Sequence, residues 1–201
     1  MLEAASLRCE RGGRILFDRL SFRLRDGELL RVSGANGSGK TSLLRVLCGL
    51  LTPTQGAVRW KGEPVAALRE EYGKELVYLG HAPAVKGDLT AAENLSIACT
   101  LAGVAAKKED VQSALARFAL PGDVPVRRLS QGQRRRAALA RLALSGAVPL
   151  WLLDEPFAAL DAEGIARLSA LLSDHAKRGG AVVFTTHQDA GVAATQTLEL
   201  G

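Results

Sequence analysis

Two hydrophobic patterns alternate along the chain. Short apolar runs of strand length are followed by segments in which apolar residues recur every three or four positions. Leu29–Ser33 is a compact apolar run that stops at a glycine-rich loop, which predicts a buried strand. Thr41–Leu50 has helical spacing, and Gly49 with Pro53 marks its end. Val58–Trp60 and Leu76–Leu79 predict further strands. From Thr90 to about Leu129 the pattern is helical, with Ala91, Leu95, Ala98 and Leu101 on one side and breaks at Pro121-Gly122 and Pro125. Gln133–Ser145 predicts another helix. Leu150–Asp154 and Ala181–Thr185 are apolar runs of strand length, separated by a helical segment, Ile165–Arg178, that Gly179-Gly180 stops. Strands alternating with helices imply a parallel α/β core, and residues 90–145 look like a helical insertion into it.

Length and composition narrow this picture. The chain has 201 residues, 47% of them hydrophobic and 23% charged, which is a globular rather than a disordered composition. No stretch approaches the roughly 20 apolar residues of a spanning helix, and Met1-Leu2-Glu3-Ala4-Ala5 lacks the basic start and apolar run of a secretory leader. A membrane role is therefore expected to come through a partner. Net charge is +5, but aromatics are only 4% and the basic residues are spread out, apart from Arg134, Arg135 and Arg136. Direct nucleic-acid binding is not expected from such a distribution, although a basic chain can lie against an anionic membrane face. Cys9, Cys48 and Cys99 are far apart, without metal-ligand spacing, and suit core packing in a reducing compartment.

Three segments carry chemistry. Gly34-Ala35-Asn36-Gly37-Ser38-Gly39-Lys40-Thr41 fits the phosphate-loop pattern, with a strand before it and a helix after it. Glycines let the backbone wrap around phosphate, and the following helix adds the positive end of its dipole. Lys40 is expected at the β- and γ-phosphates of ATP, with Ser42 beside it in the binding loop, and the Thr41 hydroxyl is expected on Mg²⁺. Leu150–Leu153 leads into Asp154 and Glu155, and two carboxylates at the end of a buried strand are costly unless they meet a cation. Asp154 is placed to hold Mg²⁺ and Glu155 to polarise the attacking water as general base. Leu129-Ser130-Gln131-Gly132-Gln133 opens a helix, where a hydroxyl and backbone N–H groups make either a simple N-cap or an anion site.

These motifs, in this order, resemble the nucleotide-binding subunits of ABC transporters over nearly all 201 residues. The resemblance also takes in Leu152–Pro156, Ala159-Leu160-Asp161 and Thr186-His187. It implies a P-loop ABC ATPase fold: a mainly parallel core sheet, an antiparallel β subdomain and a helical subdomain within one nucleotide-binding domain, residues 1–201. It further implies a head-to-tail homodimer in which Ser130, Gly132 and Gln133 act on the partner's ATP. Asp161 would shape the dimer contact, and His187 would contact the γ-phosphate and position water. Arg11 falls where the family stacks an aromatic on adenine, a role a guanidinium plane can also fill. The family's glutamine near residue 80, which senses Mg²⁺ and couples to the membrane domain, is replaced by His81-Ala82, so either His81 takes that contact or it is missing. The family's signature, here Leu129–Gln133, carries Gln131 where glycine is commoner.

A narrower resemblance rests on residues 7–11, 78–83, 89–95 and 132–142, which look like the CcmA family, the ATPase subunits of the cytochrome c maturation haem exporter. That family implies a peripheral location on the cytoplasmic face of the inner membrane and CcmB- and CcmC-like permease partners. It also implies ATP-driven release of the haem-loaded chaperone. No haem on this chain is expected, since His81, His175 and His187 form no partnering pattern. The alternatives are the ATPase of a different ABC exporter, a soluble ABC ATPase acting on nucleic acid or ribosomes, and a nucleotide-gated module without catalysis. One phosphate loop and no long heptad run tell against the second, and Asp154 with Glu155 against the third. The Arg134–Arg136 run, with Arg141, reads either as a solvated basic face or as electrostatics at the dimer and phosphate side.

Overall fold

The computed structural model describes residues 1–186 and 191–201. Its centre is a five-stranded parallel sheet, ordered β6-β7-β8-β3-β9. The strands are β3 (Leu29–Gly34), β6 (Leu76–Leu79), β7 (Leu150–Leu153), β8 (Ala181–Thr185) and β9 (Gln196–Leu200). Every residue of β7 and β8 is buried. This is why they read as unbroken apolar runs: a central parallel strand has a covered face on both sides.

The two faces pack against different layers. Trp151, Leu153, Val182 and Phe184 point to one side, where α4 (Ala91–Leu101), α5 (Lys108–Arg117), α6 (Gln131–Leu144) and α7 (Ala162–Lys177) supply Leu95, Leu115, Leu139 and Leu168. Leu150, Leu152, Val183, Leu30 and Val32 point to the other. There they meet Leu43, Leu44 and Leu47 of α1 (Lys40–Leu47) and a four-stranded antiparallel sheet. That sheet has the order β2-β1-β4-β5, from β1 (Leu2–Arg11), β2 (Arg14–Leu24), β4 (Gln55–Trp60) and β5 (Glu63–Pro64). Two short helices, α2 (Val65–Leu68) and α3 (Glu70–Lys74), return the chain to β6.

Several expectations need correction. The segment from Thr90 to Leu129 is not one helical stretch. It is α4, then α5, then a 3-10 turn at Val126–Arg128. Gly103 (φ 69°) and Ala119 (φ 50°) take left-handed conformations just beyond α4 and α5 and break the run. The helix expected at Thr41–Leu50 ends at Leu47, and the one expected at Gln133–Ser145 begins at Gln131 because Ser130 caps it. β1 and β2 were hidden by irregular alternation. Leu2 and Ala4 face the core, but so do Leu7 and Cys9, three residues further on in phase. A bulge at Ser6 (φ 49°) inserts the extra residue that keeps both halves facing inward.

One buried group links this core to pH. His175 on α7 is 1% exposed and stacks on Trp151, with ring centroids 3.7 Å apart and planes 4° from parallel. Burial, reinforced by the charge of Arg178, pushes its pKa from 6.5 down to about 4. The unfolded chain therefore takes up a proton that the folded one refuses as pH falls through that window. Stability is fully present above pH 6.5 and declines towards pH 4, by about 3 kcal/mol in all. Melting temperatures of the wild type and His175→Gln at pH 7 and pH 4.5 check this; the variant is expected to show the smaller acid-induced drop.

Candidate active site

β3, α1 and the exits of β6, β7 and β8 converge on one cleft of about 470 Å³. Asn36, Gly37, Gly39, Lys40, Thr41 and Ser42 line one wall, and His81, Asp154, Glu155 and Thr186 line another. The loop between β3 and α1 requires its first glycine. Gly34 has φ +142°, and a Cβ there would stand 2.2 Å from the Leu200 carbonyl oxygen. Ser38 is nearly buried, and its N–H donates to the carbonyl of Ala35 at 3.2 Å, which tightens the loop. α1 has no side-chain cap and no acidic residue in its first turn, so its N-terminal N–H groups and dipole face the loop uncompensated.

Lys40 is 7% exposed, and its Nζ donates to the carbonyls of Gly34 and Ala35 at 2.8 and 3.0 Å. Its partners are neutral carbonyls rather than a carboxylate. A buried ammonium in that state retains its full attraction for an incoming anion.

The acidic end of β7 is held from three directions. The Thr41 hydroxyl donates to Asp154 Oδ2 at 2.8 Å, and the Thr185 hydroxyl donates to Oδ1 at 2.9 Å. The Glu155 N–H in turn donates to Thr185 Oγ1 at 2.7 Å. Asp154 is 1% exposed, whereas Glu155 is half-buried at the cleft with φ +50°. A hydroxyl and a carboxylate in contact are hard oxygen donors. Together with phosphate oxygens they fit Mg²⁺, which commonly takes only one or two protein ligands. Thr185→Val is expected to leave the Glu155 N–H and Asp154 Oδ1 without their partner. It should destabilise the chain by about 1–3 kcal/mol and lower turnover, as a denaturant melt and an ATPase assay would measure.

The remaining expected site residues lie elsewhere. Ser130 caps α6: its Oγ accepts from the Gln133 N–H at 3.2 Å while Gln133 Oε1 accepts from the Ser130 N–H at 2.8 Å. Ser130 and Gln131 are exposed and do not line the cleft of their own chain. Gly132 lies against the Asp161 loop, where a Cβ would stand 2.7 Å from the Ala159 carbonyl oxygen. Asp161 caps α7, its Oδ1 accepting from the Gly164 N–H at 2.8 Å. Arg11 is exposed at the end of the β1–β2 hairpin, and the hairpin residue on the cleft wall is Leu16. His187 lies outside the described residues.

Residue types alone missed Thr185, Leu16 and the role of the arginine run. Thr185 left one signal, a polar residue closing an otherwise apolar strand. The arginines do not share one environment: Arg134 is exposed, Arg136 is part-buried, and none of the three lines the cleft of its own chain. Arg135 is buried, and Arg134 donates to the carbonyls of Val126, Arg127 and Leu129. Arg136 donates to that of Phe118. Among the described residues no helix is long and apolar enough to cross a membrane.

Residues 17–158 match the ABC transporter family model. The cytochrome c biogenesis ATP-binding export protein CcmA of Aromatoleum aromaticum is 52% identical, covering 98% of this chain and 94% of that protein. Its counterpart from Pseudomonas aeruginosa is 49% identical, covering both chains completely, 100% of each. Among solved structures, an ATP-binding subunit of an ABC transporter superposes with a TM-score of 0.89 at 24% identity, over 100% of this chain and 85% of that one. A dimeric bacterial ABC transporter cassette superposes with a TM-score of 0.86 at 25% identity, over 100% of this chain and 94% of that one. A strand-loop-helix phosphate site facing an acidic strand end, carried on this fold and in this sequence company, leads to one assignment: the chain belongs to the ABC transporter family, as an ATP-binding cassette related to the CcmA proteins.

Proposed function

We propose that the chain is the ATP-hydrolysing subunit of an exporter serving cytochrome c maturation, and that it works from the cytoplasmic face of the membrane as a single nucleotide-binding domain. The observation that carries the catalytic reading is the Thr41–Asp154 hydrogen bond beside Glu155, in the same cleft as Lys40. Thr41 and Asp154 would hold Mg²⁺, which supplies charge neutralisation at the phosphates when bound. Lys40 and the N-terminus of α1 bind and orient the β- and γ-phosphates of ATP. Glu155 accepts the proton of the attacking water, and His187 helps to place that water. Leu16 gives the cleft an apolar wall, and Arg11, exposed at the hairpin tip, stacks on the adenine.

The active unit is a head-to-tail dimer. Support comes from the exposure of Ser130 and Gln131 away from their own phosphate cleft, which leaves the N-terminus of α6, with no acidic residue in its first turn, available to the partner's ATP. Asp161, two residues beyond the Ala159 carbonyl that faces Gly132, shapes that contact. The membrane partners are CcmB- and CcmC-like permeases, which would dock at the groove next to His81, between Ala82, Pro83 and Val85 on one side and Leu95 and Ala98 of α4 on the other. The export reading rests on the names of the relatives, cytochrome c biogenesis export proteins matched over 94% and 100% of their lengths.

Affinity purification of the tagged chain from solubilised membranes tests this reading. Retention of a haem-handling membrane complex, with haem seen in the visible spectrum of the eluate, is the expected result. Association with a permease of other cargo would overturn the haem assignment and leave the ATPase standing.

A further inference from the structure

Arg135 is 5% exposed, and an arginine is rarely buried without partners. Its partners are four backbone carbonyls. Nη1 donates to Gly80 and His81 at 3.1 and 3.0 Å, and Nη2 donates to Asp154 and Glu155 at 2.7 Å each. These oxygens belong to the exits of two neighbouring strands, β6 and β7. Burial pulls the guanidinium's pKa down, against the opposing influence of the Asp154 and Glu155 charges, and an arginine remains charged even so. Arg134 and Arg136 show what packing alone would look like, since among the described residues they reach carbonyls flanking the helices of the insertion.

The grip falls on a strained residue. Glu155 has φ +50°, a left-handed conformation that is unfavourable for a residue with a Cβ. Its N–H is tied to Thr185 and its carbonyl to Arg135, so the strained residue is held on both sides. The same guanidinium holds the His81 loop, which lines the cleft. Arg135 also lies less than two turns into α6, the helix that Ser130 caps.

We propose that Arg135 is a positioning residue for hydrolysis: it locks the Glu155 peptide in its left-handed conformation and ties that conformation to the seating of the His81 loop. Glu155 is then aimed at the cleft only while the His81 loop is in place, and a displacement of that loop or of the start of α6 is passed directly to the catalytic carboxylate. The inference rests on Glu155 being the general base.

The test uses the full chain carrying Arg135→Lys, Arg135→Gln, Glu155→Gln and the Arg135→Gln/Glu155→Gln pair. Turnover of Arg135→Gln is expected to fall about 10- to 100-fold, the effect of misplacing a catalytic group, with ATP affinity unchanged and Arg135→Lys intermediate. In the Glu155→Gln background the arginine change should cost nothing more, because the group it positions is already gone. Amide exchange in Arg135→Lys, which keeps the charge, should rise together in the peptides covering residues 80–83 and 154–158. Full turnover in Arg135→Gln, a loss that tracks ATP affinity, additive losses in the pair, or faster exchange in only one of the two loops would each overturn the proposal. Wild-type turnover in Glu155→Gln would instead remove the general-base reading, and this inference with it.

Discussion

Glu155→Gln is expected to slow ATP hydrolysis by about 10²- to 10⁴-fold, the usual contribution of a positioned general base, while ATP still binds. The substitution is isosteric and keeps the backbone bonds that hold the residue, from its N–H to Thr185 and from Arg135 to its carbonyl. What disappears is the capacity to accept a proton. Asp154, Thr41 and Lys40 are untouched, so nucleotide and metal binding persist and the ATP-bound state accumulates. If two chains share each ATP, that state is a dimer. Size exclusion with light scattering should then show a monomer-to-dimer shift on adding Mg-ATP to the variant, and a weaker or transient one in the wild type. ATP binding without any shift would mean that closure requires the membrane partners.

The location of the signature makes this shift more than a family habit. The uncapped start of α1 and the start of α6 are both helix N-termini able to meet phosphate, yet only α1 borders the phosphate cleft. Ser130 already satisfies its own helix through the reciprocal bonds with Gln133, so its backbone geometry is set before any partner arrives. An exposed, preformed helix N-terminus with no acidic residue in its first turn costs little to dock against an anion held by another chain.

How much of this could be read from residue types depends on whether the determining contacts are local. β7 and β8 were readable because burial on both faces leaves an unbroken apolar run. The phosphate loop and the Asp154-Glu155 pair were readable because their chemistry needs contiguous residues. β1 and β2 were not, since half of their residues face solvent and the bulge at Ser6 shifts the alternation. The arginine run shows the limit most clearly. Three adjacent arginines look alike in composition, but a helix distributes them around its axis, and only Arg135 is turned into the gap between β6 and β7. The bond from Thr185 to Asp154 spans 31 residues and exists only because β8 pairs with β7.

Lys40→Ala is expected to abolish function by a different route, at the level of binding. Lys40 is buried and shared between two loop carbonyls, so its charge is poorly neutralised by the protein itself. Charge-assisted hydrogen bonds of this kind contribute about 1.5–3 kcal/mol, or about 10- to 100-fold in ATP affinity. A second loss falls on the chemical step, because the ammonium also meets charge that builds up on the transferring phosphoryl group, and removing one such preorganised donor costs about 10²- to 10³-fold in rate. The nucleotide-free fold should not suffer in proportion. Removing a buried cation that lacks a carboxylate partner also removes its desolvation cost, and the two carbonyls it leaves belong to a loop at the edge of the cleft. Thermal melts separate the two effects. With ATP at about 100 times its Kd the wild type gains about 2.7 kcal/mol. Lys40→Ala should melt close to the wild type without nucleotide and keep only about 0.4–1.4 kcal/mol of that gain at the same ATP concentration. A variant that melts far below the wild type without ATP would instead make Lys40 a strut of the loop rather than its phosphate-binding charge.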